Sequence, residues 1–235
     1  MTISTFLGAE LVKRYRDTLG YPTLLTFYIT YTLASNVLAS RISEFNMVVP
    51  LMLTGGTITF PFVGQIIDMI NEIYGRKATY NAIYLTFLAN VMVSAFIYML
   101  STVPPAPWLA GLDEAWKYFM LQTPRVVVAS YVAFLTSDLL DATVFAEIKK
   151  KFYRREPSTG SMLKAATLRS LTSDVVGMIV DSLVFFPLAF AFTVPPDVLW
   201  SLIWYGFYAK ILLTMLDTPW FVAFRLLTRS VKREL

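Results

Sequence analysis

Six aspartates, Asp68, Asp138, Asp141, Asp174, Asp181 and Asp217, lie in or at the ends of long apolar runs, and Lys210 is nearly the only base among them. Their spacing sorts them onto helix faces. Asp68 and Glu72 stand at i and i+4, Asp138 and Asp141 at i and i+3, while Asp174 with Asp181 and Lys210 with Asp217 are two turns apart. Carboxylates so placed can accept hydrogen bonds from a donor-rich ligand or neutralise a cation, and Asn36 and Ser130 can add amide and hydroxyl partners. An ionised residue at a bilayer midplane costs roughly 2.5–3.5 kcal/mol on insertion scales, so such groups face a bundle interior, a cavity or a partner charge. The plainer use is interhelical pairing with one another and with Arg169 or Lys210. Pairing accounts for any single acid as well as ligand binding does. It does not account for the set, because acids in the apolar runs outnumber bases and some must be protonated, hydrated or bound to a ligand. Phe145 and Phe185 each follow a span aspartate by four residues and share its face, which suits stacking on a flat ring, although simple packing competes.

The same inventory excludes several chemistries. Cysteine and histidine are absent, which removes disulfides, thiol nucleophiles, imidazole bases and the usual zinc ligands. Gly55-Gly56 lacks the lysine and spacing of a phosphate-binding loop, so the chain is not expected to hydrolyse ATP, and no metal or cofactor is expected. Asp68 with Glu72, or Asp138 with Asp141, leaves a magnesium-dependent lipid or prenyl enzyme formally open. The Asp-rich runs with nearby bases that hold a diphosphate are missing from the sequence. A net charge of +4 does not point to nucleic acid, because the bases gather in loops and form no stripe beside exposed aromatics.

The elements that must position these groups are membrane-spanning helices. Of the 235 residues 56% are hydrophobic and only 15% charged, against about 25% charged in ordinary soluble domains. About 20 mostly apolar residues cross a hydrocarbon core, and six runs qualify, at about 22–41, 47–72, 78–103, 125–149, 164–193 and 198–226. Gly75-Arg76-Lys77 separates the second from the third, Pro104-Pro105-Ala106-Pro107 stops the third, and Pro195-Pro196 divides the last two. Thr54-Gly55-Gly56-Thr57 and Pro61 interrupt the second run, as either a broken helix lining a cavity or a close helix contact at small residues. Basic residues cluster in the N-terminal tail (Lys13, Arg14, Arg16), the second-to-third loop, the fourth-to-fifth connection and the C-terminal end, against Arg41, Lys117 and Arg125 opposite. That bias sets both termini in the cytoplasm.

The expected fold is therefore an all-α integral membrane protein with six transmembrane helices. Residues 1–20 form a short interfacial helix, with Leu7, Leu11, Tyr15 and Leu19 at helical spacing and no run apolar enough for a signal peptide. Residues 21–226 form the membrane domain, and 227–235 a basic cytoplasmic tail. Trp108, Trp116, Trp200 and Trp204 fall near the outer boundary, as interfacial tryptophans do.

Motifs narrow the class. Phe60-Pro61 … Asp68-Met69-Ile70-Asn71-Glu72-Ile73-Tyr74-Gly75-Arg76-Lys77 closely resembles the signature of the queuosine precursor transporters, also called the vitamin uptake transporter family. Asn36-Val37-Leu38-Ala39-Ser40-Arg41 is similar to the family's Asn-x-x-Ala-x-Lys. Pro124-Arg125 … Ser130 … Asp141 … Phe145 … Lys149, then Leu168-Arg169 … Ser173 … Asp181 … Phe185, and Lys210 … Leu216-Asp217-Thr218-Pro219 resemble its fourth, fifth and sixth spans. The resemblance covers about residues 30–222 and implies a plasma-membrane importer, not an enzyme, whose small-molecule partner is a 7-deazaguanine base used in tRNA modification. It implies substrate contacts at Asn36, Asp68, Glu72, Ser130, Asp141, Phe145, Asp181 and Phe185, and charge pairing in gating at Arg169, Lys210 and Asp217. Arg41, Asp138, Ser170, Asp174, Met178 and Val222 depart from the family's usual residues, exchanging amides for carboxylates in a way that bears on which ring is accepted. A substrate-binding subunit served by a separate ATPase stays open, with Ser35-x-x-x-Ala39 as its docking face, as does a homo-oligomer.

Overall fold

A computed structural model describes residues 2–46, 50–153, 176–228 and 230–231, with side chains throughout except at 46, 50, 138–153, 214 and 216–218. The chain forms two compact units, Met1–Val127 with Leu212–Leu235, and Val128–Ile211.

The first unit begins with α1 (Thr2–Tyr15), which leads through a π-helical turn (Arg16–Gly20) into α2 (Tyr21–Leu38). Pro22 in the first turn of α2 gives up an N–H that has no helical partner there in any case. Among its described residues the second apolar run is helical only from Gly55 onward, later than its hydropathy suggests. Ile42–Asn46 (β1) and Pro50–Thr54 (β2) pair antiparallel, with Glu44 opposite Met52. Thr54 then sits in extended conformation and its hydroxyl accepts the Thr57 N–H at 3.1 Å, a side-chain N-cap that starts α3 (Gly55–Ser101) at Gly55.

α3 consists of two helical arms that meet at Gly75, whose φ of 72° and ψ of 179° are essentially closed to residues with a Cβ. Two contacts with α2 give the consequence. Ser35 Oγ lies 2.6 Å from Thr59 Oγ1, and the next residue, Asn36, bonds Asn90 at 2.7 Å. In a straight helix the 31 residues from Thr59 to Asn90 would span ~46 Å. The chain therefore doubles back at Gly75, and its arms, 55–74 and 76–101, lie together against α2. The arms fall within the second and third apolar runs, and the break falls at the glycine that divides those runs.

The core of this unit joins Ala9 and Val12 of α1, Leu24 and Tyr28 of α2, and Ile66, Met69, Ile70, Ile73 and Tyr74 of the first arm. The face that α1 buries is small: Ser4, Thr5, Gly8, Ala9 and Val12. Leu7, Tyr15 and Leu19, the apolar set in the sequence pattern, stay exposed. The Tyr74 hydroxyl donates to the Arg16 carbonyl at 2.8 Å, the Tyr21 hydroxyl to the Ala78 carbonyl at 3.1 Å, and the two rings meet edge to face. The N-terminal segment thus clamps the reversal at Gly75.

A 3-10 turn (Pro107–Leu112) and α4 (Asp113–Met120) lead to α5 (Gln122–Tyr153), which runs from the first unit into the second. The second unit continues with α6 (Val176–Phe190) and the first half of α7 (Pro196–Leu227). Phe186, Phe190, Leu202 and Ile203 form its interior, where Gly206 lies directly against the Phe186 ring and leaves no room for a side chain. Among the described residues, Gly55–Ser101 and Pro107–Ser137 contain stretches long and apolar enough to cross a membrane. Tyr80, Tyr84, Met92, Phe96 and Tyr98 on the second arm of α3 are all exposed, a surface suited to lipid.

Candidate functional site

In the first unit, the second arm of α3 carries Ala82, Thr86, Asn90 and Ser94 at successive i+4 positions, all buried. The facing side of α2 buries Tyr28, Thr32, Ser35 and Asn36. Asn36 Nδ2 donates to Asn90 Oδ1, and Asn90 Nδ2 donates to the Thr86 carbonyl at 2.8 Å. Asn36 stands among the expected site residues, whereas its partner Asn90, with Thr86 and Ser94, carries no motif that marks it in the sequence. The unused signal was an i+4 polar series inside an apolar span. Gln65 was also missed. It is fully buried on the first arm, and its Nε2 donates to the Thr5 hydroxyl at 2.7 Å.

Asp68 and Glu72, four residues apart on one arm, have different surroundings. Asp68 is exposed, while Glu72 is half-buried and ion-paired with Arg225 of α7 at 3.0 Å. With the Arg225 side chain 56% exposed, solvent screening leaves that pair worth at most ~1 kcal/mol.

In the second unit, Lys210 of α7 is ion-paired with Asp181 of α6, whereas spacing alone put Lys210 on a face with Asp217. Lys210 is only 6% exposed. Its ammonium lies 5.8 Å from the ring centroids of both Phe185 and Phe186, with the Ser182 hydroxyl 3.5 Å away. Among the described residues, two ring faces, a carboxylate and a hydroxyl surround this cation. Phe185 does not stand alone as a stacking platform, since it packs edge-on against Phe186 and Phe190 at 5.1 and 6.1 Å. Ser130 is half-buried on α5. Asp141 and Phe145 lie on α5 and Asp217 on α7, but their side chains are outside the described set, and Arg169 and Asp174 fall outside the described residues altogether. Among the described residues no cluster of acids is grouped to hold a metal ion.

Two other surfaces bear on function. Ser35 and Ala39, the small-residue pair on α2, are not available for docking, because Thr59 and Gly56 of α3 cover them. A cavity of about 360 Å³ lies at the end of the second arm of α3, lined by Leu100, Pro104, Leu109, Leu112, Asp113 and Trp116. None of the expected site residues reaches it, and Asp113 is paired with Lys117 at 2.6 Å.

The geometry defines a helical protein with buried polar pairs in an otherwise apolar interior, a construction that suits a membrane transporter. The family model described as "Putative vitamin uptake transporter" matches residues 54–224. The chain belongs to this family, the one its motifs resemble, and so to a class named for transport rather than catalysis. A curated protein of Haemophilus influenzae named "Probable queuosine precursor transporter" is 28% identical over 137 residues, 58% of this chain and 52% of that relative. The match spans about half the relative's length. No solved structure matches the chain.

Proposed function

We propose that the chain imports a queuosine precursor, a 7-deazaguanine base, across the plasma membrane by alternating access, as a six-span protein with both termini in the cytoplasm. The observation that carries this reading is the pair of half-buried Asp181 with buried Lys210 beside Phe185. A guanine-like ring presents adjacent N–H donors that one carboxylate accepts together. Asp181 exchanges Lys210 for that donor pair when substrate enters, and Lys210 is released to another carboxylate. The exchange couples occupancy to a change of ion pairing, with Asp217 and Arg169 as further members of the gating set. Asn36, Asp68, Glu72, Ser130, Asp141, Phe145 and Phe185 supply the remaining substrate contacts. A subunit served by a separate ATPase has weaker support, because its docking face on α2 is covered.

The test is thermal stability of the purified protein with 7-cyano-7-deazaguanine, 7-aminomethyl-7-deazaguanine, queuine, guanine and several vitamins. A ligand at a hundred times its Kd adds about 2.7 kcal/mol, enough to displace the melting curve clearly. At least one deazaguanine stabilises the wild type and fails to stabilise Asp181→Asn. Stabilisation by a vitamin alone, or by no compound, overturns the reading.

A further inference from the structure

The buried seam between α2 and the second arm of α3 has more hydrogen-bonding capacity than the protein uses. Several helix hydroxyls among the described residues satisfy themselves on the carbonyl one turn back: Thr32 on Tyr28, Thr59 on Gly55, Thr79 on Gly75, Ser101 on Ile97 and Thr136 on Val132. Thr86 and Ser94 do not. Their oxygens are buried and make no hydrogen bond among the described residues, although the same kind of carbonyl lies one turn behind each. A buried polar atom without a partner is costly, and more so in a bilayer, so two on one helix face call for an explanation. Interhelical glue does not supply one. Among the described residues, the stripe makes one side-chain bond across the seam, Asn36 to Asn90, and the two hydroxyls flank it, one turn to either side of Asn90, about 6 Å each along the axis.

We infer that Asn90, with Thr86 and Ser94, reads the substrate. The inference rests on the transport reading above and names a recognition surface for it. An asparagine amide offers a donor and an acceptor side by side, which matches the adjacent N–H and C=O of a lactam edge in a flat base. Asn90 trades Asn36 for that edge, the freed Asn36 amide keeps a position beside it, and the Thr86 and Ser94 hydroxyls take the neighbouring ring or substituent heteroatoms. The Asn36–Asn90 bond is then the resting state of the site, holding two amides satisfied between transport events.

Full-length wild type, Thr86→Val, Ser94→Ala and the double variant would be compared for ligand-free melting temperature and for affinity toward 7-cyano- and 7-aminomethyl-7-deazaguanine by calorimetry. The valine and alanine replacements keep shape while removing only the unpaired hydroxyls, so ligand-free melting should stay the same or rise. Affinity should fall about tenfold in the double variant, the loss of two ordinary hydrogen bonds. Unchanged affinity in the double variant overturns the inference and leaves the transport reading standing. Lower melting with unchanged affinity also overturns it, by assigning the hydroxyls a structural role. A wild type that binds neither base removes the inference together with the transport reading.

Discussion

Lys210 and Asp181 cannot be considered one at a time. Among the described residues, a lysine 6% exposed is held against a carboxylate and two phenyl rings, and the carboxylate is held in turn by the lysine. Removing one partner strands the other, a loss of about 3–5 kcal/mol, whereas replacing both by apolar groups of similar volume is often near neutral. Lys210→Met should therefore lower the melting temperature of detergent-solubilised protein more than Asp181→Leu/Lys210→Met does. Equal losses, or a double variant at the sum of the singles, would remove the coupling. At this scale the sequence exposes the charged members readily, because a carboxylate in an apolar run has few bland explanations. It conceals Asn90, Thr86, Ser94 and Gln65. Uncharged polar side chains are ordinary in spans, and their burial follows only from which face α2 and α1 happen to cover.

Among the elements, the doubled-back α3 depends on a single backbone position. Gly75 at φ 72° and ψ 179° has a conformation that alanine adopts only at a cost of about 1–3 kcal/mol. Gly64, on the first arm, has open space where a Cβ would stand. Melting curves should thus separate two identical substitutions: Gly75→Ala destabilises, while Gly64→Ala is neutral or gains up to ~1 kcal/mol of helix propensity. The reverse order would mean that the turn is not set by Gly75. This turn was readable, since glycine followed by two bases divides two apolar runs. The start of the first arm was not, because hydropathy cannot distinguish an apolar strand from an apolar helix. The pairing of Pro50–Thr54 with Ile42–Asn46, and the cap at Thr54, are what move it to Gly55.

For the molecule as a whole, the N-terminal helix is as much core as surface. Its pattern of Leu7, Leu11, Tyr15 and Leu19 reads as an interfacial helix, and three of these are exposed as such a helix requires. The opposite face places Ala9 and Val12 in the core of the first unit and bonds Thr5 to Gln65. Deleting residues 2–15 should uncover that core and lower the melting temperature by at least ~4 °C, the shift for roughly 1–2 kcal/mol in a chain of this size. Retention of the full melting temperature would show the helix to be an accessory. Small-residue packing of this kind is hard to see in sequence, because Ser4, Thr5, Gly8 and Ala9 look polar or neutral where a core is sought.

The reversal at Gly75 also bears on how the chain enters a bilayer. With one residue between the arms, neither can settle in lipid while the other waits outside. On the six-span reading proposed above, the arms partition as a paired hairpin after α2 has been synthesised. On that reading the pairing of the arms with α2 gives the Asn90 amide oxygen, at the middle of the third apolar run, a partner in Asn36.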